Sequence, residues 1–515
     1  MKSFKITGIL LMFIPIISFS QISSDALRWS NTRAQGTARF IGVAGAMGAL
    51  GGDFSAISIN PAGIGLYRKS DLSVSGLIHL NTVNSKLAGL EGNAFSENSS
   101  DQFQLASLGL VLTTRPRSIF WENFNFAIGI NNIGNFGSNS YFKGTSQGSI
   151  TDRFLENALN PNLPNRMGLH PDDLDAFESG LAYSTGAIFD PNPNDAMTIY
   201  TTDFLAFKKY QVLKSQQLKE LGSAHEFLIG FGGNYKEKLM VGFHIGVPVG
   251  RYEYKKIYRE QESVPNEFSP FKELEFEENL ISQVSGIRAK LGIIYKPVNQ
   301  IRIGLAWSTR SYLWMSDNFN TKLRYDYLDQ NNVLQSNEEE SPFGSFTYRL
   351  ITPSQLTTSL AFVSEHGFLS ADLDYTNHAA SRFNLTADLN NETELEYQNL
   401  LNENIKKQFD QAIQLRVGGE IALDIFRIRG GLIGIQSVYK NDDEISLGYS
   451  AGLGLRFNKL YLDIGYQSIR NDQGLVPYET GNSDWDGNGT IDAVKPLVNQ
   501  EIKSSLYQMT LGFKF

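Results

Sequence analysis

Residues 444–457 read EISLGYSAGLGLRF, and their alternation decides the fold. Apolar side chains occupy every second position: Ile445, Leu447, Tyr449, Ala451, Leu453, Leu455 and Phe457. The positions between them are small or polar. A period of two is what a β-strand between apolar and polar surroundings requires. Stretches 238–250, 412–424 and 461–470 repeat the pattern, so this is a chain of strands.

The strands of a soluble β-sandwich also alternate between apolar and polar residues. Strand and connection lengths therefore have to distinguish such a sandwich from a membrane-spanning barrel. Many segments exceed about ten residues, the length that suits a tilted strand crossing a bilayer. The approximate strands are 71–82, 102–114, 122–134, 225–235, 238–258, 275–296, 301–326, 345–365, 367–380, 411–424, 426–440, 443–457, 459–471 and 502–515. Even-numbered connections are short and most odd-numbered ones are long, as in outer-membrane barrels. We predict an all-β fold, a 14-stranded antiparallel transmembrane β-barrel with both termini periplasmic.

The two ends of the chain point to the same location. Residues 1–20 combine a basic start, an apolar run and a small-residue exit, which predicts a secretory signal peptide. The alternative is a retained anchor, but the run is short of the roughly 20 residues that a span needs. The final stretch, LYQMTLGFKF, alternates up to the terminal Phe515. It resembles the signal read by the outer-membrane barrel assembly machinery. We therefore expect that machinery and outer-membrane lipid of a Gram-negative bacterium as partners.

Composition removes several classes of function. The net charge of −9 and the lack of a Lys/Arg cluster argue against a nucleic-acid partner. The chain has no Cys, which excludes thiolate metal sites and Cys nucleophiles. None of the 6 His stands in a zinc-binding motif, and no G-x-S-x-G elbow occurs. We expect no enzyme and no required cofactor.

The longest connection, 135–224, is too long for a structureless loop. Stretches 170–183 and 201–221 have helical spacing, so we predict an external loop that carries helices. A separate soluble domain inserted into the barrel is the alternative. The polar stretch 386–410 is also partly helical in pattern.

The stretch DWDGNGTID, 484–492, resembles the first nine positions of an EF-hand loop. Its oxygen donors would be Asp484, Asp486, Asn488, Thr490 and Asp492, with Gly489 at the sharp turn. Position 12 holds Lys495, where such loops have a bidentate Glu. The stretch predicts either a structural Ca²⁺ in the last external loop or a plain polar turn.

Charged residues on the polar strand faces would line the barrel lumen: Arg288, Arg302, Arg416, Glu420 and Arg456. An Arg there could pair with a ligand carboxylate. Alternatively, the lumen charges pair with one another. A further irregularity is Gly430–Gly431, where the alternation breaks and we expect a β-bulge.

A small-residue segment precedes the first strand: residues 36–67 read GTARFIGVAGAMGALGGDFSAISINPAGIGLY. Asn-Pro is a strong turn signal, because Asn bonds its own backbone and Pro restricts φ. With the signal peptide and the terminal Phe, this segment resembles the FadL-type outer-membrane transporters of hydrophobic compounds. Asn60, Pro61, Ala62 and Gly63 match the core of that family's plug motif, and Arg39, Gly45, Ala46 and Asp53 match its flanks more loosely.

The resemblance implies a function and a division of the chain. Residues 21–69 would form a hatch inside a barrel of residues 70–515. Long-chain fatty acids or aromatic hydrocarbons would be captured at external loops and leave sideways where an early strand kinks. Gly129, Gly134 and Gly137 are candidates for that kink, or else mark an ordinary strand end. The plug also resembles that of PorV, a barrel subunit of type IX secretion. A general porin would need no plug.

Overall fold

A computed structural model describes residues 19–159, 167–193, 198–204, 211–263, 270–385, 392–480 and 495–515. Its single sheet contains 19 strand segments, which join end to end into the 14 strands of a closed antiparallel barrel. Strand β1 pairs with β2 on one side and with the last strand, β14, on the other, from Asp71–Lys514 to Leu87–Val498. The predicted fold class is confirmed.

The strands run in chain order around the barrel. They are β1 Asp71–Leu87, β2 Ser96–Thr114, β3 Trp121–Asn135 continuing as Ser138–Ser146, β4 Val212–Tyr235, β5 Leu239–Glu262, β6 Phe271–Tyr295, β7 Ile301–Ser308 continuing as Tyr312–Leu328, β8 Leu334–Glu340 continuing as Gly344–Ile351 and Gln355–Ser364, β9 Gly367–Asn377 continuing as Arg382–Asn384, β10 Gln411–Leu423, β11 Phe426–Gln436, β12 Ile445–Arg456, β13 Leu460–Leu475 and β14 Val498–Lys514. We call the barrel end with the long connections the loop end, and the other the turn end.

The described helices lie in the N-terminal segment or in the connections. The α-helices are α1 Phe19–Ser30, α2 Ala38–Gly42, α3 Thr151–Asn157, α4 Ser179–Thr185 and α5 Glu392–Gln408. The 3-10 helices are Phe54–Ser58, Pro61–Leu66, Pro171–Asp173 and His378–Ala380. None of the described helices is long and apolar enough to cross a bilayer.

The two strand faces meet different surroundings, as the sequence predicts. In β12, the apolar side chains of Leu447 and Leu453 point outward and are 68% and 62% exposed. Gly448, Ser450 and Gly452 point inward and are buried. Other strands repeat this outward apolar set, which gives the barrel an apolar belt suited to lipid acyl chains.

Residues 31–67 run inside the barrel and touch its wall on several sides. The Ala38 N–H donates to Thr510 Oγ1 of β14 at 2.7 Å, and the Gly48 N–H to Asp372 Oδ2 of β9 at 2.9 Å. On another side, Asn125 Nδ2 of β3 donates to the Ile64 carbonyl at 2.6 Å. We call residues 31–67 the plug.

Two apolar clusters close the loop end. One joins helices α3 and α4 to strands β5 and β6 through Phe154, Leu181, Tyr258 and Phe271. The other joins α1 to α5 and the wall; its members include Ala26, Trp29, Phe383, Leu401 and Ile405. The helix predicted within 386–410 is present as α5, and part of the pattern in 170–183 forms Pro171–Asp173 and α4.

The helix predicted over 201–221 is wrong from Val212 onward, because β4 begins there; residues 205–210 of that stretch lie outside the described residues. Residues Val212–Glu220 pair with Ser138–Ser146 of β3 on one side and with β5 on the other. These long-range pairings outweigh the local helix propensity of the stretch. The connection predicted as 135–224 is therefore shorter, spanning residues 147–211.

The bulge predicted at Gly430–Gly431 is also wrong. β11 pairs with β10 and β12 there without a register shift. Gly431 faces the plug, and a Cβ atom on it would lie 2.7 Å from the carbonyl carbon of Val43. The alternation ends because Ile433 and Ile435 point into the lumen, where they contact Ala44 of the plug.

Candidate functional site

Asn60, near the end of the plug, makes hydrogen bonds within the plug and to the barrel wall. It caps the 3-10 helix Pro61–Leu66, since its Oδ1 accepts the Ala62 N–H at 3.0 Å. Its Nδ2 donates to the Gly48 carbonyl at 2.7 Å and to the Ile293 carbonyl of β6 at 3.2 Å. The side chain is buried, so its polar atoms depend on these partners.

The other residues of the motif approach the wall and the plug closely. A Cβ atom on Gly242 of β5 would lie 2.1 Å from the Pro61 carbonyl oxygen. One on Gly63 would lie 2.9 Å from the Gly51 Cα atom. Ala62 is fully buried. Small residues on both sides let backbone pack on backbone, which anchors the turn.

The predicted lumen charges face inward, and each has a partner. Arg288 bonds Glu226, Arg302 donates to the Leu50 carbonyl at 2.9 Å, and Arg416 pairs with Asp374 at 2.7 Å. Glu420 accepts from Arg429 of the wall at 2.6 Å and from Arg39 of the plug at 3.3 Å. Arg456 pairs with Asp463 at 2.9 Å. Four of the five thus pair with an opposite charge, which is the alternative of mutual pairing, whereas Arg302 bonds a neutral carbonyl of the plug.

A cavity of about 430 Å³ lies between the N-terminal part of the plug and the wall. Among the described residues, its cationic lining groups are Arg33, Arg288, Lys290 and Arg416, and Asp374 is the carboxylate that lines it. Apolar groups also line it: Phe40 and Ile41 of the plug, with Ile433, Ile435, Ile469 and Leu506 of the wall. Arg33 could not be predicted as a lining residue from the sequence, because it lies outside any strand pattern.

The wall has a break between β2 and β3. The ladder between these strands ends at Ser107–Asn131. Beyond it, within the described residues, Ser96–Leu105 of β2 pair with β1 alone, and β3 pairs with β4 alone. We call this place the β2–β3 break. Side chains bridge it: Asn132 Nδ2 donates to Gln104 Oε1 at 2.7 Å.

The strand that leaves the ladder turns inward. Its register with β4 shifts between Asn132 and Gly134. The Gly137 carbonyl accepts from Nδ2 of Asn81, an inward-facing residue of β1, at 3.1 Å. Of the three glycine candidates, Gly134 and Gly137 therefore lie where β3 departs. Gly129 lies in the regular ladder, against Phe54 of the plug.

The plug covers the break from inside. The Arg33 N–H donates to the Ile133 carbonyl at 2.9 Å, and the Gln35 N–H to the Asn132 carbonyl at 3.0 Å. Backbone N–H groups of the plug segment 33–35 thus donate hydrogen bonds to β3 at the place where β3 has separated from β2. Both residues also line the cavity, so cavity, plug and break meet at one place.

The candidate calcium ligands Asp484, Asp486, Asn488, Thr490 and Asp492 fall in 481–494, outside the described residues. The calcium site remains a prediction from the sequence.

Comparison with solved structures shows which known proteins share this fold. A Pseudomonas aeruginosa FadL homologue matches with a TM-score of 0.52 over 94% of this chain and 98% of that one, at 13% identity. The chain has the FadL-type barrel fold. The P. putida toluene transporter TodX matches with a TM-score of 0.49 at 10% identity, covering 93% of this chain and 99% of its own. The Ralstonia pickettii toluene transporter TbuX gives 0.46 at 12%, covering 92% and 98%.

No protein-family model and no curated protein matches the sequence. At 13% identity, the FadL-type likeness is one of fold.

Proposed function

We propose that the protein takes up hydrophobic compounds, such as long-chain fatty acids or aromatic hydrocarbons, across the outer membrane of a Gram-negative bacterium. The compound is captured at the external loops, the hatch rearranges, and the compound leaves sideways through the wall. The observation that carries the proposal is the β2–β3 break, where a wall strand turns inward and the plug covers the place from inside.

Energetics favour a sideways route for such compounds. An alkyl chain gains about 0.8 kcal/mol per CH₂ on moving from water into lipid. The plug contacts strands β3, β6, β9 and β14, so it obstructs the direct path through the lumen. The break faces the belt of exposed apolar side chains, among which Phe103 beside it is 79% exposed. Exit there spares the compound a passage through water.

Uptake of labelled compounds by a strain that lacks the gene tests the proposal. Deletion should lower uptake of labelled oleate or toluene, and the plasmid-borne gene should restore it. Unchanged uptake of every hydrophobic compound tried would contradict the proposal. Co-purification of the protein with secreted cargo, together with unchanged uptake, would instead support the PorV-like role.

A further inference from the structure

We propose that the outer face of the barrel binds a phosphorylated glycolipid of the outer leaflet, with its phosphate on Arg310, Arg349 and Arg382. We call these three residues the arginine cluster. An acyl chain of the lipid lies in an apolar groove beside the cluster, and its sugars lie in a polar groove on the loop-end side. The inference rests on the outer-membrane location in the proposed function, and not on which compound the protein transports.

The arginine cluster occupies one small patch of the outer face of β7, β8 and β9. Arg382 pairs in register with Ile351, which stands two residues from Arg349. The two arginines are therefore diagonal neighbours on one face, about 7–8 Å apart. Arg310 stands two residues before Tyr312, which pairs with Ile351 from the other side. Arg310 and Arg382 are close enough for their charges to interact.

No carboxylate compensates the cluster among the residues that the structure describes. Arg382 donates to the carbonyls of Ala379 and Ser381 at 2.8 and 2.6 Å, and both acceptors are neutral. Cations nearer the tip of the loop end are paired by contrast, such as Lys255 with Glu277 at 2.7 Å. A phosphate supplies the missing negative charge, and a guanidinium can bind it through two parallel hydrogen bonds.

The cluster lies at the loop-end edge of the apolar belt. Trp314 ends the run of exposed apolar side chains on β7, since the next outward residues are Ser316 and Asn318. The outer face of β6 changes at the same level, from Ile287 to Ser285. Long connections of outer-membrane barrels face the exterior, and aromatic residues gather at the level of the head groups. The cluster therefore lies where the head groups of the outer leaflet stand.

A β-bulge opens an apolar groove beside the cluster. β6 and β7 pair at Lys290–Ser308 and again at Ile287–Tyr312, so β7 carries one extra residue between these pairs. A bulge bends its strand and re-aims side chains, and Arg310 points outward from this one. The groove measures about 550 Å³ and is continuous with the belt. Its exposed apolar lining, which suits an acyl chain, is Phe243, Ile245, Ile287, Trp307 and Tyr312.

A polar groove of about 580 Å³ follows on the loop-end side. Arg349 and the exposed ring of Trp314 line it, together with hydroxyl and amide side chains: Gln283, Ser285, Ser316, Thr347 and Asn384. Hydroxyl and amide groups bond sugar hydroxyls, and an aromatic ring packs on the apolar face of a sugar. The apolar groove, the cations and the polar groove thus match the acyl chains, phosphates and sugars of one lipid.

The test titrates the full-length protein, in a neutral maltoside detergent, into fluorescent lipid A and follows the anisotropy of the label. Wild type should bind bisphosphorylated lipid A at least tenfold more tightly than the same lipid stripped of its phosphates, and than labelled phosphatidylglycerol. Arg310→Gln with Arg349→Gln should lower the affinity for bisphosphorylated lipid A at least tenfold. Arg115→Gln with Arg117→Gln is the matched control, because it removes two exposed arginines at the turn end and should leave affinity unchanged. Heat-dependent gel mobility checks that each variant is a folded barrel.

Equal affinity for phosphorylated and dephosphorylated lipid A would overturn the inference, and so would equal effects of the two double variants. Displacement of lipid A by an equal concentration of inorganic phosphate would reveal a plain anion site, and phosphatidylglycerol bound as tightly as lipid A a general anionic-lipid surface. Either result contradicts the inference. Uptake on gene deletion decides the proposed function separately, since deletion can lower uptake whether or not lipid A binds.

Discussion

Asn60 is the residue at which the plug, its terminal turn and the wall meet. Asn60→Ala removes one acceptor and two donors from a buried place, and leaves the Gly48 and Ile293 carbonyls without that partner. We expect a loss of about 2–3 kcal/mol in plug stability, since orphaned buried polar groups cost about 1–3 kcal/mol. Hydrogen exchange should quicken across residues 36–67 and stay unchanged in β12. Unchanged protection of the plug would contradict this role.

Neighbouring glycines provide a second test at the residue scale. Gly431 faces the plug, whereas a Cβ atom on Gly430 would meet nothing closer than the Ser450 oxygen at 3.9 Å. Gly431→Ala should therefore displace the plug at a cost of about 1–3 kcal/mol, the usual range for overpacking. Gly430→Ala should be neutral. The measurement is the thermal unfolding midpoint of each variant. Equal midpoints would show that Gly431 does not pack against the plug.

Some residues could be assigned from the sequence and others could not. Asn60–Gly63 stand out because a turn signal follows a long run of small residues, which is a local pattern. Arg33 does not stand out, because its importance lies in what surrounds it. Only the folded barrel shows that the predicted lumen arginines bond carboxylates or carbonyls, whereas the Arg33 side chain bonds neither among the residues that the structure describes.

At the scale of elements, local periodicity predicts most strands correctly. The alternation in 444–457 reflects which strand face meets lipid. It can be read from the residue types alone, without knowing which strands pair. The prediction of a helix over 212–221 is wrong because the strand character of this stretch comes from partners far along the chain, such as Ser138–Ser146. Wall interruptions such as the β2–β3 break have the same origin, since they depend on pairing and not on composition.

Helix α5 offers a prediction at this scale. Leu401 and Ile405 are buried in the cluster that contains Ala26 and Trp29 of α1, while Leu400 is 41% exposed. Leu401→Ala should destabilise α5 locally by about 2–5 kcal/mol through the cavity it leaves. Leu400→Ala should have little effect. Hydrogen exchange over residues 395–408 is the measurement, and equal effects of the two variants would show that α5 does not seal the loop end.

At the scale of the whole molecule, the plug, the cavity and the β2–β3 break form one unit. Residues 33–35 belong to all three, because they lie near the start of the plug, line the cavity and bond β3 beside the break. A hydrophobic compound that reaches the cavity therefore lies next to a place where the wall is held by side chains and plug contacts. We propose that the compound leaves the barrel at this place.

A disulfide that pins the inward part of β3 to β2 tests this claim most directly. A Cβ atom on Gly137 would lie 2.5 Å from Cδ of Gln102, so Cys residues at these two positions would be close. The natural chain has no Cys that could compete with them. Gln102→Cys with Gly137→Cys should lower uptake at least tenfold when oxidised, and reductant should restore it. Leu112→Cys with Phe126→Cys, register partners in the closed part of the β2–β3 ladder, should leave uptake unchanged. Full uptake with the Gln102–Gly137 disulfide formed would contradict lateral exit through the break.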